Sequence, residues 1–258
     1  MIARRELERR AGALGIGTRH VELDYVLQHL LVQIAREPGD LVFRGGTALA
    51  RIYWPDFRIS EDLDFIGAGT LAGLERQLHR AVILAADGTG LDLQLDPGRW
   101  NDDRARALVR WTTPWRTAGE LVVDVVRHER PALPPRTGTL DLRYRDFVAN
   151  GHALPVVDLT EILANKWFML EAREEPRDLF DLWWALTRGT VGFEDVAHAH
   201  QKVYRYDPME MNIDRAGRLK DRWEQRLAHQ IRDLVDFDEA IGAVRERFEA
   251  WRSSGKGP

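Results

Sequence analysis

Cysteine is absent from the 258 residues, which excludes disulfides, thiolate zinc sites and thiol catalysis. No apolar run approaches the roughly 18 residues that a bilayer-crossing helix needs. The opening residues, Met1 to Glu6, lack the apolar region of a signal peptide, so the expectation is a cytoplasmic protein with no membrane partner. An excess of positive charge is also missing. The net charge of −4 argues against a uniformly basic nucleic-acid binder and says nothing about local patches. Lysine is scarce: of 37 basic residues only Lys166, Lys202, Lys220 and Lys256 are lysines. What is present suffices for a sizeable core. With 44% apolar residues, a chain of this length removes roughly 70 to 75% of its unfolded surface from water. One domain with a helical extension, or two small ones, is expected.

The most informative stretch runs from Leu41 to Phe65. An apolar segment, Leu41-Val42-Phe43-Arg44, meets Gly45-Gly46-Thr47, and further on comes Ser60-Glu61-Asp62-Leu63-Asp64-Phe65. In a strand, residues two apart share a face, which places the Asp62 and Asp64 carboxylates roughly 6 to 7 Å apart with Leu63 and Phe65 toward the core. At an effective dielectric of about 20 such charges repel by on the order of 2 to 3 kcal/mol. A divalent cation turns that repulsion into attraction, and Mg²⁺ suits an all-oxygen site. The two glycines let backbone N–H groups approach a phosphate closely. Thr47 is expected to cap a short helix over Ala48 to Trp54, ended by Pro55, whose positive end faces the same anion. A phosphate cradle upstream of a metal-binding acid pair points to a nucleoside triphosphate (NTP).

Helical periodicity predicts a helix over Val21 to Ala35 ahead of the first strand, and another over Leu71 to Ala86 after the Asp-x-Asp strand. Strands are predicted at Leu91 to Leu95, Ala107 to Trp111 and Glu120 to Arg127. Pro131, Pro134 and Pro135 mark a loop, and the boundary between halves falls near Pro155. From Asp158 the pattern is helical almost to a fraying tail at Ser253 to Pro258. The sequence thus reads as α+β: a mixed α/β core over residues 1–155 with a small mixed sheet, then a helical half over 156–258.

Four further features stand out. Asp124 interrupts the apolar run Leu121 to Val126, where a carboxylate is costly unless paired or metal-bound. It is either the wet face of an edge strand or a third metal-site carboxylate. Lys166 lies in the apolar stretch Asp158 to Ala172 and is either a helix-edge lysine with a packed stem or a functional cation. Arg177, Asp178 and Asp181 share a helix face, which in most proteins is a solvated ion-pair surface. The basic run Arg215, Arg218, Lys220, Arg222, Arg226, His229 and Arg232 is diluted by Asp214, Asp221, Glu224 and Asp233. It reads as a solvated helix or an RNA-backbone contact.

This set of residues resembles the AbiEii/AbiGii-type nucleotidyltransferase toxins of type IV toxin–antitoxin systems, the MenT-like proteins. The matching motifs are Phe43 to Leu49 with its Gly-Gly-Thr turn, Arg58, Ser60 and Asp62 to Phe65 as an Arg-x-Ser-x-Asp-x-Asp-Phe signature, Lys166 on a helix, and Arg177 to Leu182. The resemblance spans about Val21 to Leu186. It implies a polymerase-β-like nucleotidyltransferase core and Mg²⁺-dependent transfer of a nucleoside monophosphate from an NTP. The implied acceptor is RNA, namely the tRNA 3′ end, with a block to translation and a cognate antitoxin as partner. Asp62 and Asp64, with Asp124 completing the set, would hold metal. Gly45, Gly46, Thr47, Arg58 and Ser60 would bind the nucleotide, Lys166 would neutralise phosphate charge, and Asp181 would orient Lys166 or help activate the attacking hydroxyl. Ser60, on the same strand face as the acid pair, is expected to be a point where phosphorylation silences the enzyme.

Other classes fit less well. A metal-dependent nuclease lacks its acid-x-lysine strand here, since Ala164, His200, Arg218 and Ser254 precede the four lysines by two. A sugar-nucleotide glycosyltransferase uses Asp-x-Asp without needing the Gly-Gly-Thr turn. A nucleotidyltransferase acting on a protein or small molecule, and a catalytically silent antitoxin-docking or RNA-binding module, are the remaining alternatives.

Overall fold

The structure, a computed structural model, describes residues 2–255 apart from 56, 88, 128, 145, 147–151, 174, 189–190, 206 and 209–211. Lys256 and the end of the tail lie outside the described residues. The chain forms two compact units. One comprises Met1–Arg130, Pro135–Val157 and Gln230–Arg232; the other comprises Pro131–Pro134, Asp158–His229 and Asp233–Pro258.

The first unit is built on a 7-stranded mixed sheet. Its strands are β1 (Leu41–Arg44), β2 (Asp62–Gly67), β3 (Asp92–Trp100), β4 (Arg104–Thr112), β5 (Ala118–Arg127), β6 (Arg136–Thr139) and β7 (Ala153–Val156), in the order β3-β4-β5-β2-β1-β7-β6. Alternation decides which side faces the core. Phe43, Leu63, Phe65, Leu121, Val123, Val125, Ala107 and Val109 are fully buried, and the Phe43 and Phe65 rings touch across β1 and β2 at 5.2 Å. Helices α1 (Arg4–Leu14), α2 (Thr18–Arg36) and α4 (Leu71–Ala86) belong to the same unit. Leu27, Leu30, Leu31 and Ile34 of α2 and Leu74, Leu78 and Val82 of α4 are buried, each worth about 1.5 to 3 kcal/mol of burial. Thr70 caps α4 by accepting from the Gly73 N–H.

Two short strands were illegible in the sequence. β6 and β7 fall where a proline-marked loop and boundary are expected, yet β7 pairs with β1 in parallel and with β6 in antiparallel fashion. Four residues give no measurable period, and Pro155 inside β7 reads as a breaker.

The chain between β1 and β2 also departs from expectation. Helix α3 (Gly45–Ala48) starts directly at the end of β1 and continues as a π-helical turn, Leu49–Tyr53, closed by the Trp54 N–H to the Leu49 carbonyl at 2.7 Å. Thr47 therefore sits inside the helix and is not its cap; the cap position is Arg44, which makes no side-chain cap bond. Glycine at the first two positions lets the backbone turn out of the strand without a capping side chain.

Arg51, within the π turn and 1% exposed, ties this segment to α2. Its guanidinium donates to Asp24 Oδ1 at 2.7 Å and to Gln28 Oε1 at 3.1 Å, while the Tyr144 hydroxyl donates to Asp24 Oδ2 at 2.7 Å. Burial pushes the Asp24 carboxyl up, but Arg51, Arg143 and the Tyr144 bond outweigh it and hold the carboxyl below the usual range.

The second unit is helical: α5 (Leu159–Ala172), α6 (Pro176–Thr187), α7 (Phe193–Tyr204), a 3₁₀ stretch (Ile213–Arg222), α8 (Trp223–Leu227) and α9 (Phe237–Ser253). Asp158 caps α5 by accepting from Thr160 N–H, and Pro176 occupies the first turn of α6, where its missing N–H costs nothing. Trp167, Phe193 and Phe248 pack ring to ring at 4.8 to 5.4 Å. The basic run is locally neutralised: Arg215 meets Glu171, Lys220 meets Asp238 and Arg226 meets Glu175 at 2.5 to 2.8 Å. Among the described residues, no helix is long and apolar enough to cross a membrane.

Candidate functional site

Strand register gathers charge on the sheet face opposite the apolar one. Arg44 of β1 lies opposite Asp64 of β2, Asp64 opposite Asp124 of β5, and Asp124 opposite Arg106 of β4. A single row across four strands thus reads Arg, Asp, Asp, Arg, with Asp62 two residues along β2 from Asp64. The parallel pairing of β2 with β5 produces this neighbourhood, and no local pattern in the sequence announces it.

Asp124 is not on an edge strand, because β5 is paired on both sides by β2 and β4. Its side chain is 8% exposed and is held by Arg104, which donates from Nε to Oδ1 at 2.6 Å and from Nη2 to Oδ2. The hydrogen bond that Arg104 donates to Asp124, with Asp124 and Asp64 as nearby negative charges, raises the pKa of Arg104 still further above its already high value. Asp62 and Asp64 are half-buried, and Arg44 pairs with Glu129 at 3.2 Å.

The Gly-Gly-Thr turn packs against this row. Gly45 has φ +77°, and a Cβ built there would strike the Asp64 carboxylate. Thr47 donates to the Asp62 carbonyl, which commits its only proton, so Ser60 is the donor in the Ser60 Oγ to Thr47 Oγ1 bond of 2.5 Å. The two hydroxyls brace the turn against the start of β2. Ser60 precedes the strand and is 4% exposed, so the expected phosphorylation point is not open to a kinase in this structure. Arg58, also buried, donates to the Ile59 carbonyl at 3.2 Å and to Gln230 Oε1 at 3.4 Å; it shapes the approach to β2.

Gly45→Ala is therefore expected to cost about 1 to 2 kcal/mol for the positive φ and, by displacing Asp64, on the order of 10²-fold in turnover. Urea midpoints and turnover measured on one preparation check this. Unchanged turnover would place Asp64 outside the reacting geometry.

In the helical unit, Lys166 of α5 reaches Asp178 at 2.8 Å and Asp181 at 3.0 Å on α6. Both carboxylates are 0% exposed, so this helix face is not a solvated ion-pair surface. Arg173 adds a fork onto Asp178, 2.8 Å from Nε and 3.0 Å from Nη2. Arg177 lies beside Glu175 at 3.6 Å. Burial pushes the Asp178 carboxyl up, yet Lys166 and Arg173 together hold it below the usual carboxylate range.

Asp178 and Asp24 thus share a sign: the folded pKa lies below the unfolded one. Their stabilisation is complete above the unfolded value of about 3.9 and is lost as pH falls through it toward the folded pKa. The urea midpoint is expected to hold steady from pH 7 to about 5 and to fall steeply below about 4. A midpoint unchanged at pH 3 would contradict both ion-pair assignments.

The three carboxylates of the first unit are hard oxygen donors, and the Gly45 contact keeps the turn closely against one of them. In chemical type the set fits a divalent cation such as Mg²⁺. Among the described residues, the oxygens of Asp62, Asp64 and Asp124 do not all lie within 4.8 Å of one another; Asp124 is turned onto Arg104. Residues that sequence reasoning missed are Arg44, Arg104, Arg106 and Arg173. Arginine is the commonplace cation of this chain, so only the strand register and the helix pairing single these four out.

Comparison with known proteins agrees with this architecture. A family profile described as "Nucleotidyl transferase AbiEii toxin, Type IV TA system" matches residues 28–253. Among solved structures, MenT4, a nucleotidyltransferase toxin from Mycobacterium tuberculosis H37Rv, superimposes with a TM-score of 0.71 at 21% identity, over 96% of this chain and 89% of its own. JHP933 from Helicobacter pylori gives 0.60 at 18% identity, over 93% and 94%. A putative nucleotidyltransferase from H. pylori gives 0.60 at 19%, over 93% and 97%. A search of curated protein sequences finds no match. The chain belongs to the AbiEii nucleotidyltransferase toxin family of type IV toxin–antitoxin systems, and its mixed α/β fold is that of these toxins.

Proposed function

We propose that the protein is a Mg²⁺-dependent toxin of the cytoplasm that transfers a nucleoside monophosphate from an NTP to the 3′ end of tRNA, blocking translation until a cognate antitoxin restrains it. The observation that carries this reading is the parallel register of Asp64 with Asp124, with the Gly45 turn packed on Asp64. In the reaction, an acceptor hydroxyl oxygen attacks the α-phosphorus of the NTP, loses its proton, and displaces pyrophosphate in line. Asp62, Asp64 and Asp124 would hold Mg²⁺, which supplies stabilisation of the attacking and leaving oxygens. Backbone N–H groups of Gly45, Gly46 and Thr47 bind the triphosphate, with Arg58 as a further nucleotide-binding cation, and the Ser60 contact with Thr47 keeps that turn in place. Lys166 neutralises phosphate charge as it develops, and Asp181, 3.0 Å from its ammonium, orients it.

Incubating the purified protein with total RNA and each NTP in turn, labelled at the α-phosphorus, tests the acceptor. Label in a tRNA-sized band for one nucleotide is expected. Label confined to protein or to small molecules would reject the RNA acceptor.

A further inference from the structure

The contact between Arg104 and Asp124 is more specific than a surface ion pair. Asp124 sits in the interior strand β5 beside Asp64, so two carboxylates lie in adjacent register on the same sheet face. The residue directly opposite Asp124 on β4 is Arg106, an exposed arginine with no ion-pair partner among the described residues. Arg104, whose own register partner is Val126, instead reaches back diagonally and covers both Asp124 oxygens. Its side chain is 55% exposed, so it can leave without opening the core. A guanidinium fork on both oxygens and a divalent cation on the same carboxylate repel each other.

We propose that Arg104 is a displaceable counter-ion of the carboxylate row: it competes with the divalent metal for Asp124 and, once displaced, pairs with the anionic phosphates that arrive with the metal. This rests on the reading of Asp62, Asp64 and Asp124 as the metal site. Arg104 thereby couples metal binding to nucleotide binding. The metal alone meets a competitor, whereas metal and triphosphate together provide a new partner for the competitor. Released by Arg104, Asp124 can turn toward the two carboxylates of β2.

The test is Mn²⁺ binding to the full chain without nucleotide, followed by electron paramagnetic resonance, for wild type, Arg104→Ala, Arg104→Lys and Asp62→Ala. Removal of the fork is expected to tighten Mn²⁺ binding by about fivefold or more in Arg104→Ala, with Arg104→Lys between it and wild type. Binding of inorganic tripolyphosphate in the presence of Mg²⁺ is expected to weaken in Arg104→Ala. Equal Mn²⁺ affinity in wild type and Arg104→Ala, with binding lost in Asp62→Ala, would overturn the role of Arg104 and leave the metal site standing. Binding unchanged in Asp62→Ala would overturn the metal site and this inference with it.

Discussion

Asp62→Ala and Asp64→Ala are each expected to lower nucleotidyl transfer by on the order of 10³-fold or more while leaving the fold intact. Both side chains are half-buried on the charged face of β2, whereas Leu63 and Phe65 face the core. Removing one carboxylate from a row where Asp64 and Asp124 are neighbours in register relieves repulsion, so the stability change should stay within about 1 kcal/mol in either direction. Turnover with saturating Mg²⁺ and NTP, set beside the urea midpoint, separates the two effects. Half the wild-type rate in either variant would show that the acid pair is not the site of chemistry.

Lys166→Ala is expected to produce a large loss of stability for a change outside the apolar core. Lys166 is 8% exposed and bridges two carboxylates that have no exposure at all. Breaking a buried ion pair from one side costs about 3 to 5 kcal/mol. Arg173 still compensates Asp178, so the lower end of that range is expected. Adding Asp181→Asn to Lys166→Ala should recover part of the loss, because the buried negative charge that faced the lost ammonium goes with it. Lys166→Arg separates structure from chemistry: it restores charge, and with it much of the stability, but a planar fork replaces a compact ammonium poorly at a phosphate. Transfer at least about tenfold below wild type is expected for the folded Arg variant. Full activity there would confine Lys166 to its ion pairs. No loss of urea midpoint in Lys166→Ala would contradict the buried bridge itself.

How far the sequence could be read depended on whether the relevant contacts were local. The strand at Leu41–Arg44 follows from a local apolar run that ends at two glycines, and the helices over residues 18–36 and 71–86 follow from periodicities complete within a single segment. So does the inward set of Leu63 and Phe65. β6 and β7 are too short to show a period and contain a glycine and a proline that argue against strands. Thr47 has the chemistry of a cap, but the helix begins at Gly45, three residues earlier than expected, which redirects the Thr47 hydroxyl to Asp62 and Ser60. Asp124 illustrates the limit most clearly. Its burial cost was legible, yet its two partners, Asp64 across a parallel pairing and Arg104 on a diagonal, follow from strand order, which a sequence pattern does not encode. For Lys166 the signal was composition: a lone lysine in an apolar helix needs a counter-charge, and two acids on one face of the next helix supply it.

Nucleotidyl transfer to RNA is tested by the fate of label from NTPs carrying ³²P at either the α or the γ position, incubated with the protein, Mg²⁺ and total RNA, with the Asp64→Ala protein as the blank. Nucleotidyl transfer moves the α-phosphorus into RNA and releases the γ-phosphorus in pyrophosphate, so α-label in RNA without γ-label is the expected result. RNA labelled from the γ position, or α-label incorporated equally by Asp64→Ala, would contradict it.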